Sequence, residues 1–357
     1  MNGRIPPALP YLGEDEKQAV MDVLSSGQIA AGPKVKEFEE RFADYIGVKE
    51  AVAVSSGTAA LQVSLLAAGI DKGSKVLVPP YSFFATASAV LTIGAEPIFA
   101  DIDPVTFCLE PDKMEDVDAV IPVHLYGHPA DMDRINSLAA ENDVVVIEDA
   151  CQAHGAEYHG KKTGALGDIG CFSFYATKNM VTGEGGMLTT NNNELADKAR
   201  LLRAHGRDEN GIHQLIGYNF LMTDIAAAIG IIQLDKLDDM NQSRRDNARI
   251  IDSELSKLEG YVTRPVELEG IKHVYHQYAL RVPADIRERV VTGMQKAGVG
   301  VRSGYTLPIY RHPAIEIDLS CPETERACDE VIWVPVYPQL ERAQMSRIAF
   351  GLKQFLK

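Results

Sequence analysis

The sequence predicts an α/β protein: a large domain with a mainly parallel, seven-stranded sheet sandwiched by helices, followed by a smaller α+β C-terminal domain. Three observations carry that expectation. Short β-branched runs alternate with helical patterns between residues 51 and 190, several of those runs are apolar without alternation, and the texture changes after residue 260. Strands that alternate with helices signal crossover connections and parallel pairing. A strand covered on both faces has no solvent side, so it reads as a continuous apolar run.

The runs are AVAVS (51–55), KVLV (75–78), PIFA (97–100), AVIPV (119–123), VVVIED (144–149), CFSF (171–174) and GMLTT (186–190). Helical spacing predicts helices over 58–68, 83–93 and 131–141, the last with Asp131 or Asp133 as its N-terminal cap. From about 223 to 258 the pattern is helical again. The charged second half of that stretch, DKLDDMNQSRRDNARIIDSELSKLEG, predicts a long connecting helix with a solvated face. Beyond it lie a strand-like YHQYALRV (275–282), helical segments near 285–297 and 340–356, and proline-punctuated loops such as YTLPIYRHP and VPVYP. The expected boundary separates a large domain, residues 1–237, from a small one, residues 238–357. The N-terminal segment is expected to pack with the small domain.

A chain of 357 residues, 46% hydrophobic and 24% charged, has the composition of a globular protein able to bury a sizeable core. Disordered and fibrous classes are excluded. The 50 acidic against 35 basic side chains give a formal charge of -15, which repels phosphate backbones and acidic membranes. Neither nucleic acid nor a membrane is an expected partner. The five cysteines form no C-x-x-C pair and read as reduced, mostly buried thiols. No stretch approaches the roughly 18 apolar residues of a membrane span, and the N-terminus lacks an apolar segment flanked by positive charge, so a cytoplasmic location is expected.

Three motifs carry chemistry. In VSSGTAALQVSLLAAG (54–69) a strand ends in small residues and a helix starts at once, so free N–H groups there suit an anion such as phosphate. Alone, the same residues are an ordinary cap. VVVIEDACQAHG (144–155) delivers Glu148 and Asp149 at the C-terminal end of a buried strand, where open α/β sheets place ligands. A carboxylate buried there needs a cationic or donor partner. In CFSFYATKNMVTGEGGMLTT (171–190) an apolar strand leads to Lys178 and then to a glycine-rich turn. Desolvation would lower the amine's pKa and free it as a nucleophile or Schiff-base former. Together a phosphate cradle, an acid for a pyridinium nitrogen and an activated lysine are the equipment that pyridoxal 5′-phosphate (PLP) requires.

With these blocks in view, the sequence resembles the DegT/DnrJ/EryC1/StrS sugar aminotransferases, fold-type I PLP enzymes. The likeness runs from YLGEDEKQAVMDVLSSGQIAAGPKVKEFEERFADYIGV through SSGTAAL, PVHLYGHPADMD, EDACQAHGAEY, GDIGCFSFYATKN, TGEGGML, LRAHGRD and GYNFLMTDIAAAIG to PIYRHP. It implies that Lys178 carries the cofactor as a Schiff base and that Asp149 pairs with the protonated pyridine nitrogen. It further implies that Gln152 bonds near the ring hydroxyl and that Gly57, Thr58 and Ser173 hold the phosphate. Phe83 would lie over the ring, and Asn219 would reach the phosphate of a cofactor bound mainly by the other subunit. The working unit so implied is a homodimer with shared sites. Tyr305, Tyr310 and His312 fall in the segment that resembles the family's substrate region.

Some residues depart from the family. Cys151 stands where alanine is more frequent, Tyr310 where many relatives have histidine, and His312 where glutamine is frequent. Lys178 is retained, unlike in the dehydratase branch, which favours transamination. Other signals are discounted: residues 155–162 nearly match a phosphate loop, but Lys162 replaces the required hydroxyl and a turn between short strands explains them better. None of the nine histidines forms an H-E-x-x-H motif, and no metal is expected. The expected reaction moves an amino group from glutamate or glutamine to a keto sugar, in most relatives nucleotide-linked, as a 4-keto-6-deoxy or 3-keto hexose. The alternatives are a keto-cyclitol or unactivated keto sugar as substrate, or a PLP-binding regulatory protein without turnover.

Overall fold

The structure, a computed structural model, describes residues 3–256 and 262–356. The chain opens with α1 (Glu14–Ser26) and α2 (Pro33–Ile46), then β1 (Glu50–Val54), α3 (Gly57–Ala67), β2 (Lys75–Val78), α4 (Ala85–Thr92), β3 (Glu96–Phe99) and β4 (Ala119–Val120). There follow α5 (Met132–Asn142), β5 (Val145–Asp149), β6 (Glu157–Tyr158), β7 (Lys161–Lys162), β8 (Ile169–Ser173), β9 (Gly186–Thr190), α6 (Asn193–Arg203) and α7 (Asp224–Leu255). The last part comprises β10 (Ile271–Lys272), β11 (Tyr278–Arg281), α8 (Ala284–Lys296), β12 (Arg302–Ser303), α9 (Pro322–Glu330), β13 (Val331–Val334) and α10 (Arg342–Phe355).

The seven β-branched runs become the seven strands of one sheet, in the order β1-β9-β8-β5-β4-β2-β3. Pairing is parallel from β8 through β3, whereas β9 lies antiparallel to both β1 and β8. The run 119–123 yields only the two residues of β4: Pro122 has no N–H to give a ladder, and pairing resumes as a single bridge between Val123 and Asp149. Residues 155–162 form the β6–β7 hairpin, joined on its other edge by β10, as a turn between short strands requires. The cap of α5 is Asp131, whose carboxylate accepts from Arg134 N. The helices α1, α2, α6 and α9 complete the layers.

Between the sheet and its covering helices the largest apolar side chains interlock. Phe38 and Phe42 of α2 meet Phe172 and Phe174 edge-on or tilted, with centroids 5.0–5.6 Å apart. The 32-residue α7 starts at Thr223, whose side chain accepts from Ala226 N, and serves two cores in turn. Leu234, Leu237 and Met240 join that phenylalanine cluster. Farther along, Ala248, Ile251 and Leu255 pack with the second sheet, β11-β13-β12, and with Ile5, which bridges to Val299. No described helix is long and apolar enough to cross a membrane.

Five imidazoles are buried in this framework, His124, His128, His154, His273 and His276. The last four are shifted: burial is the leading cause that lowers the pKa of each, to about 3 for His154. Neither His154 ring nitrogen makes a well-formed hydrogen bond, and the nearby Ser173 backbone offsets only part of its burial. In the unfolded chain these rings would take up protons below about pH 6.5, whereas the folded state resists it. Their contribution is therefore complete above that pH and is lost as the pH falls toward the folded values. Denaturation midpoints at about pH 7.5 and about pH 5 are expected to differ, the acid one being lower, and His154→Leu should narrow the gap. Equal midpoints for the parent protein would contradict this.

Candidate active site

Because β2, β4, β5 and β8 run parallel, their C-terminal ends share one edge, and the segments leaving β2, β5 and β8 line a cavity of about 660 Å³. At its base lies the start of α3. Ser56, in extended backbone, caps the helix by accepting from Ala59 N at 3.1 Å. The N–H groups of Gly57 and Thr58, one residue and two residues into the helix, have no intrahelical acceptor, and both residues line the cavity. Gly57 is compelled by space. A Cβ there would lie 2.7 Å from Ser173 Cβ and 2.9 Å from Cys151 Sγ, so the helix start, the end of β8 and the turn after β5 meet at this point.

Strand alternation splits the adjacent acids of β5 between two environments. Glu148 is fully buried and accepts from Gly164 N, Leu166 N and Gly167 N at 2.7–2.8 Å and from His124 Nε2 at 2.9 Å. His124 Nδ1 accepts from Ala130 N, so its proton resides on Nε2 and points at the carboxylate. Glu148 thus fastens a loop to the sheet and does not line the cavity. Asp149 does line it, accepting from Thr86 Oγ1 at 2.9 Å and Cys151 N at 3.2 Å. Thr86, within 2.9 Å of Ser82 Oγ, is a site residue that the sequence did not single out.

Lys178 follows β8 in a turn closed by its N–H to Tyr175 O. Its side chain lines the cavity and makes no hydrogen bond among the described residues. Burial lowers the amine's pKa more than the Cys151 and Asp149 side chains raise it. The adjoining Gly183 and Gly185 have φ of 91° and 156°, backbone that other residues rarely adopt. Gln152 is held at both ends, its Oε1 accepting from Tyr126 N at 3.0 Å and its Nε2 donating to Tyr305 Oη at 3.1 Å. Ser173, Tyr305 and Phe83 also line the cavity, and Phe83 is 62% exposed.

Three of the expected site residues lie elsewhere. Tyr310 is fully buried; its hydroxyl donates to Glu325 at 2.9 Å and accepts from Cys321 N at 3.1 Å, so it is committed to holding α9 and does not reach the cavity. His312 packs edge-on against Phe84, with centroids 5.3 Å apart, outside the cavity wall. Asn219 is exposed and bridges to Ala204, away from this chain's cavity. Conversely, His276, Gln277, Trp333, Tyr175 and Glu184 line the cavity without having been singled out. Among the described residues no cluster of three or more His, Cys, Asp or Glu side chains has the arrangement of a metal site.

Over residues 10–353 the chain matches the model of the DegT/DnrJ/EryC1/StrS aminotransferase family. It is 39% identical over 370 residues to the GDP-perosamine synthase of Caulobacter vibrioides, covering 99% of this chain and 98% of that one. It is 35% identical over 340 residues to the UDP-2-acetamido-2-deoxy-3-oxo-D-glucuronate aminotransferase of Pseudomonas aeruginosa, covering 93% of this chain and 94% of that one. Among solved structures, S. venezuelae DesV in complex with a ketimine intermediate superposes with a TM-score of 0.93 at 33% identity, over 98% of this chain and 99% of that one.

The two β5 acids should part company on mutation. Glu148→Ala leaves three backbone donors and an imidazole buried without their acceptor and is expected to cost about 3–5 kcal/mol of stability. Asp149→Ala strands only a hydroxyl and one N–H, and should cost about 1–2 kcal/mol. Chemical denaturation of the two variants measures the difference.

Proposed function

The chain belongs to the DegT/DnrJ/EryC1/StrS aminotransferase family, whose members are PLP-dependent sugar aminotransferases, and from that premise we propose its substrates and the roles of its residues. It transfers an amino group from glutamate or glutamine to the ketone of a nucleotide-linked sugar, a 4-keto-6-deoxy or 3-keto hexose. The names of the relatives support this class, one being a GDP-sugar enzyme and the other an aminotransferase of a UDP-linked 3-oxo sugar. The observation that carries the reading is a free, burial-depressed lysine amine sharing one cavity with Asp149 and with an uncapped helix start.

The residues present fit PLP. The close approach at Gly57 leaves the Gly57 and Thr58 N–H groups and the Ser173 hydroxyl to hold a phosphate. Asp149 accepts from Thr86 Oγ1 and Cys151 N, and a carboxylate has about four lone-pair sites, so it retains capacity for a protonated ring nitrogen. When bound, PLP supplies an electron sink for the carbon that loses its proton. Every other step falls to the chain. Lys178 Nζ would take the proton from the donor's α-carbon and return one to the cofactor's aldehyde-derived carbon across the nitrogen, which requires a neutral amine, and burial favours that form. Asp149 keeps the ring nitrogen protonated, and Gln152, fixed by Tyr126 and Tyr305, has one amide N–H left for the ring hydroxyl. Phe83 covers the cofactor from the cavity mouth, and Tyr305 faces the substrate.

We place Asn219 at the phosphate of the partner's site, its exposure on the surface supporting a role across a homodimer contact. The division into a cofactor-binding part, 1–237, and a smaller part, 238–357, is also ours; the change of core along α7 supports it.

The purified protein is expected to show the visible absorbance of lysine-bound PLP, absent in Lys178→Ala. Gly57→Ala should weaken PLP binding about tenfold or more, because the added methyl displaces Ser173 or Cys151. Asp149→Ala should retain cofactor and lose about 100-fold or more in turnover. Conversion of glutamate to 2-oxoglutarate, followed with nucleotide-linked and free keto sugars side by side, reads the substrate class. Equal rates on free sugars or keto-cyclitols would overturn the nucleotide-sugar assignment, and a protein that never binds PLP would overturn the whole reading.

A further inference from the structure

Two complementary groups without partners face the same cavity. Lys178 Nζ, a donor, and His276 Nε2, 98 residues away in sequence (276 − 178), make no hydrogen bond among the described residues, and both side chains line the space. His276 is only 7% exposed. His276 Nε2 is not among the sealed, partnerless nitrogens of the described residues, so it opens on the cavity and is available to a donor there.

The protonation of this ring follows from its neighbours. Val274 O only accepts, so the Asn179 atom 3.0 Å from it is the amide nitrogen. That nitrogen also donates to Asn241 Oδ1 at 2.8 Å, and the Asn241 amide is oriented by a second carbonyl, His154 O, at 2.8 Å. Asn179 must then turn Oδ1 toward His276, where it lies 3.3 Å from Nδ1. An amide oxygen accepts and never donates, so Nδ1 carries the ring proton. Burial, with Arg244 and His154 nearby, opposes a second proton. Nε2 is left as a bare lone pair at the cavity.

We propose that His276 is a positioning residue for Lys178: its bare Nε2 accepts one N–H of the free lysine amine and so aims the nitrogen lone pair into the cavity. The inference rests on Lys178 being the reactive amine of the transaminase. A lysine amine on a four-carbon stem rotates freely, and one fixed N–H removes most of that freedom. A neutral acceptor suits the task better than a carboxylate. A carboxylate in the same place would stabilise the ammonium and remove the base, whereas an imidazole holds the N–H without adding charge. The Asn179 link makes the device rigid, because Asn179 is the residue next to Lys178 and the same amide fixes the ring that meets it.

Two measurements test this. In cofactor-free protein labelled at histidine nitrogen, NMR is expected to show His276 protonated at Nδ1 and bare at Nε2; a proton on Nε2 would overturn the proposal. In the second, His276→Leu and His276→Gln are compared with the parent in single-turnover reaction with glutamate deuterated at the α-carbon. Both variants should melt near the parent and keep the absorbance of lysine-bound PLP. His276→Leu should slow the half-reaction about 100-fold, with a larger isotope effect. His276→Gln, which offers an amide oxygen in place of Nε2, should recover to within about tenfold of the parent. A leucine variant within about threefold of the parent, or a glutamine variant as slow as the leucine one, would overturn it. A parent protein that lacks the lysine-bound absorbance would instead overturn the assignment of Lys178 beneath it.

Discussion

The first turn of α3 presses against the ends of β8 and β9 with no room for one more carbon. Gly57 faces Ser173 and Cys151, and a Cβ on Gly186 would stand 2.3 Å from Ser56 O. This contact brings helix N–H groups, the end of a parallel strand and the turn after β5 within one ligand's reach. It also dictates the sheet order. β8 must lie between β5, which supplies Asp149, and β9, which returns antiparallel from the Lys178 turn. Had β9 run parallel, the connection would have needed a long crossover, and Lys178 would not sit in a short loop at the cavity.

The same economy of space governs the charges. Two consecutive acids in one strand point to opposite faces, and the protein treats them oppositely. Glu148 receives four donors and becomes part of the framework. Asp149 receives two and keeps lone pairs to spare. Beside the cavity that Lys178 lines, Asn179 joins Asn241 to the His276 ring, and Asp149 is a carboxylate whose charge raises the amine's pKa. Neutral dipoles orient a group without fixing its charge, which suits the proton-transfer role proposed for Lys178.

How far the sequence discloses this depends on the range of the interaction. The strands are legible because burial on both faces leaves a local apolar signature, and the Gly57, Asp149 and Lys178 motifs are legible because each is contiguous. The helix α6 carried a readable start as well, Asn192 accepting from Glu194 N and Leu195 N, yet its apolar stripe is diluted by charged residues. Tyr310 is a candidate through the resemblance alone, since a proline-punctuated loop gives no period from which to infer facing, and the structure shows its hydroxyl occupied by Glu325 and Cys321. His276 is silent for a different reason. Its tautomer depends on Asn179 and, through it, on Asn241 in the middle of α7, and no local pattern joins those three positions.

The formal charge of -15 would seem to disfavour a site for dianionic phosphate. Distance decides otherwise. At physiological salt, charges more than about 8 Å apart across solvent are largely screened, and most of this chain's acids are on its surface or paired there, as with Arg134 and Glu110 or Arg245 and Glu267. At the cavity the α3 start offers a fixed positive potential, equivalent to about half a unit charge and concentrated in the first turn. Burial disfavours the charged form of Lys178. In the function proposed for this site, a lysine that stayed charged would be useless as a base, so holding the anion with backbone N–H groups would leave the lysine free for proton transfer.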